Sequence, residues 1–174
     1  MAVDLVKILE TERLLLRQFT VEDADFILKL LNEASFIQNI GDRGVRTIDD
    51  ACTYILNGPI ASYEKNGFGL YRVELKETSE PIGICGLVKR DGLEDIDIGY
   101  ALLPGFWSKG YAVEAARAVK EYAREVIGLK RLVAISDPAN ESSIRVLEKI
   151  GLKFEKMVRL SADDIELKLF ATDL

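Results

Sequence analysis

The chain reads as an α/β (α+β) fold, and three features predict it. Short apolar or alternating runs of strand length recur along it, as at residues 13–17, 81–88 and 131–136. Runs with apolar residues at helical spacing lie between them, opened by Thr-x-x-acid or Asn start signals and closed by glycine. No repeat, low-complexity stretch or Pro/Ser-rich linker interrupts the pattern, so the 174 residues read as one domain, 1–174.

Each element has its own signal. Arg13-Leu14-Leu15-Leu16-Arg17 reads as the first strand. Thr20-Val21-Glu22-Asp23 opens a helix that carries Phe26, Ile27, Leu30 and Leu31 at helical spacing. Thr47-Ile48-Asp49-Asp50 repeats the start signal, and Gly58-Pro59 predicts a break or kink in the helix after it. Residues 68–75 and 81–88 form two strands around the polar turn 76–80. Asp95-Ile96-Asp97-Ile98 alternates strictly, so residues 95–103 form a strand with one polar face at its start, ended by Pro104-Gly105. Val113, Ala116, Val119, Ala123 and Val126 mark the buried stripe of a strong helix that Gly128 ends. Residues 131–136 form an apolar strand. Asp137-Pro138-Ala139-Asn140 then turns into a helix capped by Asn140, with Ile144, Leu147 and Ile150 inward and a stop at Gly151. Strands at about 153–160 and 165–171 close the chain.

Composition removes several chemistries. There is no histidine, which excludes imidazole bases, Ser-His and Cys-His nucleophile pairs and His-metal sites. Two cysteines, Cys52 and Cys85, lie far apart and form no CxxC unit, so they read as reduced thiols and no metal is expected. The net charge of −6 argues against binding nucleic-acid phosphates and is compatible with a cationic substrate. No apolar run is long enough for a membrane span and no secretory signal is apparent, so a cytoplasmic location is expected.

The chemistry concentrates in Gly105-Phe106-Trp107-Ser108-Lys109-Gly110-Tyr111-Ala112, between a strand and a long helix. Gly110 is not followed by Lys and Ser/Thr, so this is no Walker loop. The chain's one GxG, Gly67-Phe68-Gly69, meets Arg72 where a dinucleotide fingerprint needs glycine. What remains is a glycine at a helix mouth, where free amides and the helix dipole favour a diphosphate. Lys109 adds a cation. On the loop alone, a plain turn is the favoured reading of the glycine.

The wider sequence resembles the GNAT superfamily of N-acetyltransferases, and within it the ribosomal-protein N-acetyltransferase-like branch. The resemblance runs in order through Thr11-Glu12-Arg13-Leu14-Leu15-Leu16-Arg17, Ile82-Gly83-Ile84-Cys85-Gly86-Leu87 and Asp97-Ile98-Gly99-Tyr100. It continues through Phe106 to Ala115 and ends in Asn140-Glu141-Ser142-Ser143-Ile144-Arg145-Val146-Leu147-Glu148-Lys149-Ile150-Gly151-Leu152. Residues 107–112 match the family's Gln/Arg-x-x-Gly-x-Gly/Ala loop, with Trp107 at its first position.

The resemblance implies a mostly antiparallel sheet of about seven strands with four or so helices, splayed between the fourth strand (about 94–103) and the fifth (131–136). It implies acetyl-CoA as co-substrate, with no metal. Trp107, Ser108, Lys109, Gly110, Tyr111 and Ala112 would cradle its diphosphate, and backbone near Leu102 and Leu103 would pair with its pantetheine arm. An N–H near residues 100–102 would hold the thioester carbonyl as it becomes an oxyanion. Asn140 would contact the cofactor from the next helix, with Ser143 close by; Asn140 is equally the expected helix cap.

The implied reaction is direct attack by an amine, on a protein N-terminus or a small molecule, with no covalent enzyme intermediate. Asp97 is the candidate base, and Asp95 the second, as strand alternation puts both on one face; ordinary exposed carboxylates are the alternative. Ser136, Tyr100 or Tyr111 would protonate the leaving thiolate. Lys168 stands near where relatives carry an aromatic residue in the last strand, which suggests an acceptor site lined partly by Lys168. The alternatives are acetylation of an antibiotic, polyamine or amino acid, or a non-catalytic acetyl-CoA-binding module.

Overall fold

The alternation of periods becomes one sheet with helices on both faces. A computed structural model describes residues 4–174. The strands are β1 (Lys7–Glu10), β2 (Leu14–Arg17), β3 (Leu70–Leu75), β4 (Pro81–Val88), β5 (Asp97–Leu102), β6 (Arg131–Ser136), β7 (Lys153–Val158) and β8 (Leu167–Asp173). Their order is β1-β2-β3-β4-β5-β6-β8-β7. Every pairing is antiparallel except β5–β6, which is parallel and in register only at Asp97↔Val133.

The helices are α1 (Ala24–Leu31), α2 (Ala34–Asn39), α3 (Ile48–Ile55), α4 (Ala61–Asn66), α5 (Tyr111–Tyr122) and α6 (Glu141–Lys149). Both Thr start signals form capping boxes, at Thr20 with Asp23 and at Thr47 with Asp50. Gly58-Pro59 lies in the π-turn Leu56–Ile60 that joins α3 to α4, where proline's missing N–H removes a helical bond.

The described residues hold eight strands and six α-helices, in keeping with a mostly antiparallel sheet of about seven strands with four or so helices. Strand β1 precedes residues 13–17; it is a four-residue edge strand with a register shift against β2, too short for a readable alternation. One correction concerns Val126, which is 67% exposed. Helix α5 widens into the π-turn Ala123–Ile127, which rotates Val126 off the buried stripe before Gly128 ends the segment in a left-handed conformation.

Side-chain alternation along β5 and β6 divides the core. Ile98, Leu132 and Ala134 face α5 and α6, packing with Ala116, Val119 and Leu147. Ala101 and Leu103 face α1–α3, packing with Ile27, Leu30 and Ile55. Val133, Leu169 and Ala171 form a smaller cluster. Among the described residues no helix is long and apolar enough to cross a membrane.

Candidate active site

The sheet opens where β5 and β6 part. The Val133 amide donates to the Ile96 carbonyl at 3.1 Å, and pairing stops after the Asp97↔Val133 rung. The two strands run in the same direction, so the opening lies toward their C-terminal ends, where parallel neighbours form a ligand crevice. The Leu103 amide donates to the Ile82 carbonyl at 2.8 Å, which fixes the alternation of the β4–β5 ladder. Odd-numbered residues of β5 thus turn their backbone groups to β4, and Tyr100 and Leu102 turn theirs into the opening. The Trp107 indole N–H caps the Leu102 carbonyl at 2.9 Å.

Leu103 corrects the sequence expectation. Its amide is bonded to Ile82, its carbonyl accepts from Phe106 at 3.0 Å, and its side chain is buried against α1–α3. The open edge is therefore Tyr100 and Leu102, not Leu103.

Beyond β5, Pro104–Phe106 makes one 3₁₀ turn, and α5 begins after Gly110. Ser108 and Gly110 both have left-handed backbones, with φ of 59° and 81°. That conformation suits glycine and strains serine. The first backbone bond of α5 is the Glu114 amide to the Gly110 carbonyl at 3.0 Å, which leaves the preceding amides of the loop without a helical acceptor. A row of free N–H groups at the N-terminus of a 12-residue helix is an anion site in waiting.

The loop is braced by two residues that sequence reading left unassigned. Arg13 donates to the Lys109 carbonyl at 3.0 Å and to Glu114 Oε1 at 2.8 Å, and its guanidinium lies 4.3 Å over the Tyr111 ring. Glu114 also accepts from the Thr11 hydroxyl and from the Arg13 amide. Burial pushes the Glu114 carboxyl up, but these bonds outweigh it and hold it below its ordinary range. The hairpin between β1 and β2 is thereby tied to the loop at Lys109 and to the first turn of α5. A Cβ on Gly110 would approach Arg13 Nη2 to 3.3 Å, so the guanidinium also overlies the glycine. The signal was the Thr11-x-Arg13 segment and a glutamate one turn into α5, but nothing in sequence placed them together.

Across the opening stand the thiol-side candidates. The Tyr100 hydroxyl donates to the Ser143 carbonyl at 2.8 Å and lies 3.0 Å from its Oγ, so Tyr100 bridges β5 to α6. Burial pushes the Tyr100 phenol well above its ordinary range. Asn140 caps α6, accepting from the Ser143 amide at 3.3 Å. Ser136 ends β6, buried, with its hydroxyl donating to the Asp137 carbonyl at 3.1 Å.

Asp97 sits at the apex of the opening, on the face toward α1–α3, and is 1% exposed. Its Oδ2 accepts from Arg90 Nε, and its Oδ1 has no partner. Burial raises its carboxyl above the ordinary value, with the Arg90 charge and hydrogen bond opposing. A buried carboxylate with a raised pKa and an unoccupied oxygen has the makings of a base.

Asp95 and Lys168 lie elsewhere. Asp95 precedes β5, on the closed side of the Asp97↔Val133 rung, and pairs with Arg131 at 3.1 Å. Lys168 lies opposite Ser136 and reaches over the Phe154 ring at 5.8 Å. Strand alternation from Ala171, the partner of Val133, puts Lys168 on the other face of the sheet from Asp97. It does not line the surroundings of that carboxylate.

An open sheet edge beside an unbonded helix mouth can hold an anion-bearing arm, and comparison with known proteins gives the enzyme class. The family model for the acetyltransferase (GNAT) domain matches residues 13–153. The chain is 32% identical over 154 residues to the uncharacterized N-acetyltransferase YoaA of Bacillus subtilis (strain 168), covering 87% of this chain and 86% of that protein. A solved acetyltransferase from Agrobacterium tumefaciens str. C58 superposes with a TM-score of 0.80 at 26% identity, over 99% of this chain and 95% of its own. RimL, a ribosomal L7/L12 alpha-N-protein acetyltransferase solved with coenzyme A, shares the fold with a TM-score of 0.81 at 18% identity, over 97% and 98% of the two chains. The chain belongs to the GNAT family of N-acetyltransferases.

Proposed function

We propose that this protein, acting as a single cytoplasmic domain, transfers the acetyl group of acetyl-CoA to a primary amine, on a protein N-terminus or a small molecule, by direct attack. The observation that carries the reading is the β5–β6 opening, which leads from the Tyr100 backbone and the Leu102 amide to the unbonded amides of residues 108–112. Bound acetyl-CoA supplies an activated thioester acyl group.

The chain's own residues do the rest. The amides of Ser108, Lys109, Gly110, Tyr111 and Ala112, with the α5 dipole, hold a diphosphate, and Trp107 fixes the start of the loop. Tyr100 and Leu102 extend the sheet edge to an amide-bearing arm, as an added strand would. An N–H of the same pair donates to a carbonyl oxygen that gains charge. Asn140 and Ser143 flank the arm from α6. Asp97 takes a proton from the amine, through Oδ1 directly or by one water, and Tyr100 or Ser136 returns a proton to the leaving sulfur.

The alternative of a non-catalytic acetyl-CoA holder is separated by turnover. Purified protein, acetyl-CoA and a panel of amines, amino acids and N-terminal peptides should release CoA thiol with at least one acceptor. Acetyl-CoA binding without release across the whole panel would sink the enzymatic reading and leave the binding module.

A further inference from the structure

Arg90 stands at the acceptor end of the opening, in contact with Asp97, in a protein of net charge −6. Asp97 and Gly99 lie on the same face of β5, and a Cβ on Gly99 would sit 4.0 Å from Asp97 Oδ1 and 3.6 Å from Leu70. The missing side chain leaves a small recess beside the unpartnered oxygen. Arg90 closes one side of it. Its Nε is given to Asp97, but among the described residues its two terminal nitrogens have no hydrogen-bond partner, and its side chain is 28% exposed. Tyr54 of α3, packed into the cluster that also holds Ala101 and Leu103, lies in the field of two guanidiniums, Arg90 and Arg43. Arg43 has no ion pair among the described residues, whereas its neighbour Arg46 is held by Asp42.

The geometry points to an acceptor that carries a carboxylate beside its amine: the amine meets Asp97 Oδ1, and Arg90, with Arg43 behind it, receives the carboxylate. This rests on the amine-acetylating reading above and narrows it to amino-acid-like acceptors. A guanidinium fork offers paired N–H donors that match a carboxylate, and a carboxylate there supplies what the free nitrogens lack. An amine without an anionic neighbour would bring a third cation beside Arg90 and Arg43, where Asp97 is the carboxylate that Arg90 contacts. A carboxylate on the acceptor restores the balance. In this role Arg90 is a specificity-determining residue as well as the partner of Asp97.

The test compares matched acceptors: free amino acids against their α-carboxamides, and short peptides beginning with Asp against those beginning with Asn. CoA-thiol release gives kcat/KM for each. The acid should exceed its neutral partner by about tenfold or more, the worth of one hydrogen bond to a charged group. Which pair shows the preference tells whether the carboxylate belongs to a free amino acid or to the first residue of a peptide. Arg90→Gln should collapse the acid-to-amide ratio toward one, Arg90→Lys should keep part of it, and Arg43→Gln should lower it less. A role confined to holding Asp97 would slow both acceptors together and leave the ratio unchanged. Amides turned over as fast as acids, or a ratio untouched in Arg90→Gln, would overturn the assignment and leave acetyl transfer standing. Failure to release CoA with any acceptor would take both down.

Discussion

Asp23 and Asp97 are both nearly inaccessible, 5% and 1% exposed, yet their surroundings shift the two carboxyls in opposite directions from the ordinary value. Asp23 accepts from Arg17 at 2.8 and 2.9 Å, from Arg72 at 2.7 Å and from the Thr20 amide at 2.9 Å. Burial alone would raise its carboxyl, but these partners outweigh it and hold it below its ordinary value. Glu74 completes the cluster, 3.0 Å from Arg72 and 3.5 Å from Arg17. Asp97 has one cationic partner and an empty oxygen, so burial wins and its carboxyl rises. Burial is common to both; the number of donors decides which carboxylate is structural and which is left reactive.

The largest effect should come from breaking the satisfied site. Asp23→Ala leaves Glu74, at 3.5 Å, as the one carboxylate paired with buried Arg17 and should destabilise the fold by about 3–5 kcal/mol, read by denaturant unfolding. The same site sets a pH dependence. Since the folded carboxyl of Asp23 lies below 3.8, its contribution is present above that value and is lost as pH falls through the folded pKa. Unfolding followed from neutral pH downward should show this loss in the wild type and much less of it in the variant.

Asp97→Asn should do the reverse: leave unfolding and acetyl-CoA affinity close to wild type and lower kcat by about 100-fold or more, the scale of a lost general base. Because the Asp97 carboxyl lies above 3.8, the acidic limb of the wild-type kcat/KM profile should fall above that pH and vanish in the variant. Full activity in Asp97→Asn would make Asp97 as structural as Asp23.

The smallest effect concerns the loop brace. Glu114→Gln keeps the shape but weakens the grip on Arg13 and Thr11, so acetyl-CoA should bind about tenfold more weakly with kcat little changed. Titration calorimetry reads the affinity directly.

Much of this arrangement was legible in the residue order. The capping boxes at Thr20 and Thr47, the kink at Gly58-Pro59, the extents of β4 and β6 and the Asn140 cap all rest on local signals that folding left in place. What escaped depends on distant partners. Arg13 meets Glu114 across 101 positions, and neither residue announces the other. Asp95 looked equivalent to Asp97 by alternation, but the single β5–β6 rung separates them and Arg131 takes its charge. Leu103 looked like open edge because a β-ladder's bonded and free sides depend on register, which only the Ile82 pairing fixes. Which face of the last strand carries Lys168 depends on its pairing with β6, which no local signal in the sequence fixes.

The central claim is that the helix mouth at Gly110 and the β5–β6 opening together hold acetyl-CoA. Calorimetric titration of acetyl-CoA into the wild type, Asp97→Asn and Gly110→Asp tests it most directly. The account predicts saturable binding to the first two with similar affinity. It predicts loss of binding in Gly110→Asp, where a side chain at φ 81° and a negative charge enter the anion site. No binding to the wild type at millimolar acetyl-CoA, or undiminished binding to Gly110→Asp, would contradict it.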